Sequence, residues 1–212
     1  MKTPFTTEQF LEVLRNYNTS VFPIQIVMFV IAGIAVYLLF TRNIKKEKAI
    51  SGILTFYWLW MAIAYHLVFF TTINPAAYIF SALFFMQGII LFYYGIIKNS
   101  FHFEFKKSST DYAGIFLITF GVILYPVIGL LGGHEPNIQP MMGLPCPTTI
   151  FTFGILLLNK TKIHFIKIII PVIWSIIGFM AAINFGIYED IMLLISGIIT
   201  TILITRRNKI LA

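Results

Sequence analysis

Charge is what this chain has least of. Charged residues make up 11% of its 212 residues, under half of the roughly 25% found in a soluble domain, so polar groups could not cover its surface in water. Cysteine occurs once, which excludes an internal disulfide and any Cys-rich metal motif. The opening stretch MKTPFTTEQFLEVLRNYNT is polar and amphipathic rather than a basic stub before an apolar core, so no cleavable signal peptide is expected. The sequence has no glycine-rich phosphate loop, serine-hydrolase elbow or kinase signature. No apolar run carries two charged residues at its middle, which weighs against a proton pump or a voltage sensor. Internal repeats are missing as well, which weighs against a simple duplicated transporter.

Apolar residues are abundant, at 58% of the chain. A spanning helix needs about 20 mostly apolar residues, and seven stretches come close: roughly 22–41, 50–71, 76–97, 112–132, 143–159, 165–186 and 188–205. Runs this continuous fit helices rather than the alternating strands of a barrel. The expected fold is all-α, a single integral membrane domain over 1–212: a compact bundle of seven transmembrane helices. A short amphipathic helix at 5–19 precedes it, with Thr6 or Thr7 as the cap and Phe10, Leu14 and Tyr17 on one face. That helix is either an anchor for the first span or a lid over an outward-facing cavity.

Lysine and arginine set the direction. Arg42, Lys45, Lys46 and Lys48 follow span 1; Lys98, Lys106 and Lys107 follow span 3; Lys160, Lys162 and Lys167 follow span 5; Arg206, Arg207 and Lys209 end the chain. Of the 15 basic residues only Lys2 and Arg15 fall on the other side. The N-terminus is therefore expected outside and the C-terminus in the cytoplasm. The net charge of +7 is read as a topology signal toward the lipid bilayer, not as a nucleic-acid surface. His102 and His164, among the lysines, are expected to be solvated or near lipid head groups.

The unusual residues gather at the expected outer face. His66 lies inside span 2, where a histidine is a functional-site candidate, with Tyr65 beside it; Trp58, seven residues before Tyr65, shares the helical face of that tyrosine. Between spans 4 and 5 runs GGHEPNIQPMMGLPCPTTIFTFG, which holds His134, Glu135 and the only cysteine, Cys146. Prolines suit a first helical turn, so Cys146 should sit at the start of span 5, where the helix dipole favours a thiolate. Thr148 and Thr149 follow it in the first turn. Glu189 and Asp190 open span 7. His66, His134 and Cys146 are candidate ligands for a zinc or copper ion, though no spacing motif joins them. Span 7 has no central lysine for a Schiff base, so retinal is excluded.

The segments FTTEQFLEVLRNYN, YWLWMAIAYHLVFF, INPAAYIF, GHEPNIQPMMGLPCPTTIFTFG and YED together resemble a family of uncharacterised bacterial multi-pass membrane proteins, classed as a domain of unknown function. GLPCPTTIFTFG is the most specific part; at Asn137-Ile138-Gln139-Pro140 the chain departs from the aromatic and proline expected there. The resemblance implies a bacterial cytoplasmic membrane and carries no activity to transfer.

Three readings follow. The first is an outward-facing binding protein or transporter for a small molecule or ion, with its pocket between spans 2, 4, 5 and 7. A second is a structural or sensory subunit acting through a membrane partner or as a homo-oligomer. The third is a membrane enzyme or redox protein using Cys146 with His66 or His134. No reaction is specified by the residues, so an enzyme is the least favoured class.

Overall fold

The computed structural model describes residues 4–211; Lys2, assigned above to the outer side, lies outside them. Among the described residues the regular structure is helical, apart from an isolated bridge between Phe103 and Asn159. Helix α1, Thr7–Val21, starts at a capping box in which the Thr6 hydroxyl and the Gln9 side chain each accept the other's backbone N–H. After Phe22-Pro23 the chain turns through 83° into α2, Ile24–Leu39. Then follow α3 (Lys46–Thr72), α4 (Ala77–Ile97), α5 (Ser109–Leu131), α6 (Pro145–Leu157), α7 (Ile169–Phe185) and α8 (Tyr188–Ile210). Each apolar run carries one helix. Helices α3, α4, α5 and α8 are long and apolar enough to cross a membrane, and the bent α1–α2 pair is a fifth candidate. Helices α2, α6 and α7 are shorter than the runs that hold them: Pro23 precedes α2, and Gly186, at φ +73°, ends α7 in the left-handed conformation.

The helices are apolar on the outside and partly polar within. Val27, Val30 and Ile34 of α2, and Ile195, Ile198 and Ile202 of α8, are exposed. Ser51, Thr55, Gln87, Ser175, Ser196 and Thr200 are buried. Water favours the reverse order and a hydrocarbon surround favours this one, which suggests a membrane setting.

The centre of the bundle is α6. From Pro147 to Leu157 all of its side chains are buried, packed against α5, α7 and α8. Glycines allow the α5–α6 backbones to touch. A Cβ at Gly154 would lie 2.7 Å from the Gly114 carbonyl oxygen and 2.8 Å from the Ile118 nitrogen, and one at Gly121 would lie 2.6 Å from the Pro147 oxygen.

Polar contacts lock the lysine-rich end. Asp111 accepts from Lys160 Nζ and from the Lys106 and Ser108 N–H groups, while Arg207 donates to the Leu157 and Asn159 carbonyls. His102, expected to be solvated, is half-exposed and lies 3.3 Å from the buried carboxylate of Glu47.

Gly154→Ala is therefore expected to cost about 1–3 kcal/mol or more, lowering the melting temperature in detergent. Gly33→Ala, with nothing within 4 Å of the added Cβ, should leave the melting temperature unchanged or raise it. Equal melting of both variants would contradict the close α5–α6 contact.

Candidate functional site

The end opposite the lysines holds a cavity of about 190 Å³. Its roof is α1 together with Phe5. Phe10 stacks on Phe185 at 4.7 Å, and Phe5 lies 5.3 Å from Phe185 and edge-on to Phe70 at 5.6 Å. The roof is pinned by hydrogen bonds. Tyr17 donates to the Gly143 carbonyl at 3.2 Å and accepts from Trp60 Nε1 at 2.7 Å; burial pushes its hydroxyl up to about 12, so it stays a neutral donor. Asn18 donates to the Asn137 and Gln139 carbonyls at 2.9 and 3.0 Å. At the rim Arg15 pairs with Glu12 at 2.7 Å and Glu135 at 3.4 Å, exposed contacts of little energetic weight.

The floor is built where α6 and α8 begin. Gly143, at φ +94°, turns the chain so that its N–H donates to Thr148 Oγ1 at 2.9 Å. Pro145 then starts α6 without an N–H to satisfy. Cys146 is the one residue of α6 left part-exposed, and it lines the cavity. Asp190 ends the 3₁₀ turn Tyr188–Asp190 that follows Gly186. Its Oδ1 accepts the Tyr125 O–H at 2.5 Å, and the Cys146 thiol adjoins the same carboxyl. The Trp174 side of α7 closes this floor: a Cβ at Gly178 would be 3.4 Å from both Cys146 Sγ and Trp174 Nε1.

The candidates from the sequence separate into four settings. Tyr65, Cys146 and Asp190 line the cavity. His134, Glu135 and Glu189 belong to the loop side: His134 Nδ1 lies 3.4 Å from Glu189 Oε1, which also accepts from Gln139 Nε2 at 3.5 Å, while Glu135 is exposed. Trp58, Thr148 and Thr149 are core residues. Trp58 donates to Thr152 at 3.1 Å and packs on Phe84 at 4.6 Å, and the Thr149 hydroxyl meets no partner among the described residues.

His66 sits behind the cavity wall, in the π-helical segment Met61–Phe69 of α3. Its ring is fully buried among Phe84 at 4.5 Å, Trp174 at 5.2 Å and Phe80 at 5.8 Å, and neither nitrogen meets a partner among the described residues. The three candidate metal ligands do not converge. Among the described residues no group of three or more His, Cys, Asp or Glu side chains is placed to hold a metal ion. The physical reason is that Glu189 engages His134 at the loop, aromatic rings enclose His66, and Cys146 turns to Asp190.

Over residues 7–211 the chain matches the family described as Family of unknown function (DUF6064). The chain belongs to that family. No curated protein and no solved structure matches it. The part assigned to DUF6064 spans α1 to α8, so it contains the whole cavity wall except Pro4 and Phe5.

Sequence reasoning placed α7 as a span but left it out of the pocket. The expected pocket lay between spans 2, 4, 5 and 7, yet Trp174, Gly178, Met180 and Asn184 all line the cavity from span 6, as does Phe80 from span 3. The available signal was Trp174 with a glycine four residues later, a large ring beside a gap on one helix face.

Cys146 in the folded protein should react with N-ethylmaleimide several-fold more slowly than in the unfolded chain, and Phe10→Ala should speed the folded-state reaction. The rate is followed by mass spectrometry. Equal rates in folded and unfolded protein would show that α1 does not roof the thiol.

Proposed function

We propose that this is a seven-span protein of a bacterial cytoplasmic membrane, N-terminus outside and C-terminus in the cytoplasm, that binds a small, largely apolar molecule in the cavity under α1. The observation that carries this reading is the cavity itself: rings on most sides, Asp190, Tyr125 and Cys146 together on the floor, and a separately folded amphipathic helix as roof. Concave, mostly apolar pockets with a few convergent polar groups are the usual form of a small-molecule site. A cavity of about 150 Å³ takes benzene, so about 190 Å³ suits one ring with a short substituent.

Support for the orientation is the one-sided placement of lysine and arginine. Helices α2, α6 and α7 count as spans in this reading because their apolar runs, not their helical lengths alone, cover the hydrocarbon. Toward the lysine-rich end the interior is filled by Trp58, Phe84 and Phe153, all buried, which favours a binding protein with a blind pocket over an open path. The enzyme reading loses its chemistry, because Cys146 has a carboxyl and a phenol as neighbours instead of a histidine base.

Two measurements check the proposal. In a Cys146→Ser background, an impermeant thiol reagent on intact cells should label Glu135→Cys and leave Lys209→Cys unlabelled; the reverse pattern would overturn the orientation. Small aromatic solutes should slow alkylation of Cys146 in the otherwise unmodified protein in a saturable way. No protection across a panel of ring-sized solutes would sink the binding reading.

A further inference from the structure

The cavity wall has one carboxyl side chain, Asp190, and no lysine, arginine or histidine. Asp190 is 2% exposed. Its hydrogen-bond neighbours, Tyr125 and Cys146, are neutral donors. None of the ion pairs among the described residues involves it. The adjoining carboxylate, Glu189, is already engaged by His134 and Gln139. The positive end of α6, which Asp190 meets at Cys146, supplies part of the counter-charge. No cationic side chain supplies the rest. A buried carboxylate left in that state is costly, and a ligand able to pair with it gains accordingly.

The remainder of the wall is aromatic. Phe5, Phe10, Tyr65, Phe70, Phe80 and Trp174 all face the space, several of them packed edge to face: Phe80 on Trp174 at 5.5 Å and Phe5 on Phe70 at 5.6 Å. Ring faces carry negative potential and attract cations once water is removed. An anion would meet the carboxylate unfavourably. A neutral apolar molecule would fill the space and leave Asp190 as it was. A cation with an apolar body satisfies both parts of the wall.

We infer that the ligand is a small organic ammonium ion, a protonated amine on an apolar body, with its nitrogen on the Asp190 carboxylate and its body among the rings. The inference rests on the reading that the cavity binds a small molecule, and it names the class. About 190 Å³ limits the body to roughly one ring and a short chain, by comparison with the benzene-sized case.

The test compares isosteres on the purified full-length protein in nanodiscs. The probes are 2-phenylethylamine, protonated at neutral pH, and 2-phenylethanol, which has the same shape without the charge. Binding is read by protection of Cys146 from alkylation and, independently, by the shift in melting temperature. The amine is expected to bind about tenfold or more tightly than the alcohol. In Asp190→Asn, which keeps the shape and an acceptor for Tyr125, that preference should shrink to about twofold or less. Should this variant fail to fold, the comparison of amine with alcohol in the unmodified protein decides. An alcohol that binds as tightly as the amine overturns the ammonium inference and leaves the cavity-binding reading standing. A preference that survives in folded Asp190→Asn overturns it too, since the charge would then be recognised elsewhere. If neither probe binds by either readout, the binding reading falls and the inference falls with it.

Discussion

Helix α6 is too short to cross a bilayer alone, about 20 Å at 1.5 Å per residue, yet from Pro147 to Leu157 the protein encloses it. A helix in that position must have both ends satisfied by its neighbours, because water does not reach them. Prolines at its first turn remove two of the donors there, and helix α8 sets a side chain against each end. At the start of α6, Asp190 meets Cys146, which places a carboxyl at the positive end of the helix dipole. At its finish, Arg207 donates to the Leu157 and Asn159 carbonyls, which places a guanidinium at the negative end. The two side chains lie about 25 Å apart along α8 by helical rise, a fair match to the length of α6. The close glycine contacts of α5 then cover α6 from another side.

This clamp also makes the cavity. The acidic side chain needed at the start of α6 has to sit where α6 and α8 begin together, and Pro145 and Pro147 remove the backbone donors that would otherwise occupy it. Tyr125 reaches the same carboxyl from α5. What is left above is a largely apolar space bordered mostly by rings and aliphatic side chains, closed by α1. Glu189 and Asp190 are adjacent in sequence and serve different settings, one tied to the loop through His134 and Gln139, the other open to the cavity.

Much of the architecture was readable because long apolar runs leave little choice but helix, and four or five of the helices are long and apolar enough to cross a membrane. Seven apolar runs became seven helices, and the face of α1 carrying Phe10, Leu14 and Tyr17 became its buried face. The start of α6 at Pro145 followed from proline chemistry alone. The candidate site was legible only in part. Cys146, Tyr65 and Asp190 meet the cavity, while His66 and His134 are held in separate surroundings, since sequence position gives depth along a helix but not its rotation or its neighbours. Helix α7 was expected as a span, but its share of the cavity wall was not, because it is apolar all round and a residue such as Trp174 becomes a wall only when the packing of α4, α6 and α8 turns it inward. The aromatic roof was hidden for a similar reason: Phe5 and Phe185 are far apart in the chain and stack only after α1 folds back over α7.

The central claim is that α6 is a protein-enclosed helix held end to end by α8. Photolabelling with a carbene-generating probe dissolved in the lipid phase tests it directly, because the probe reacts with whatever faces hydrocarbon. The account predicts strong labelling of α2 and α4 and none on 147–157. Labelling of 147–157 at a level comparable with α4 would contradict it.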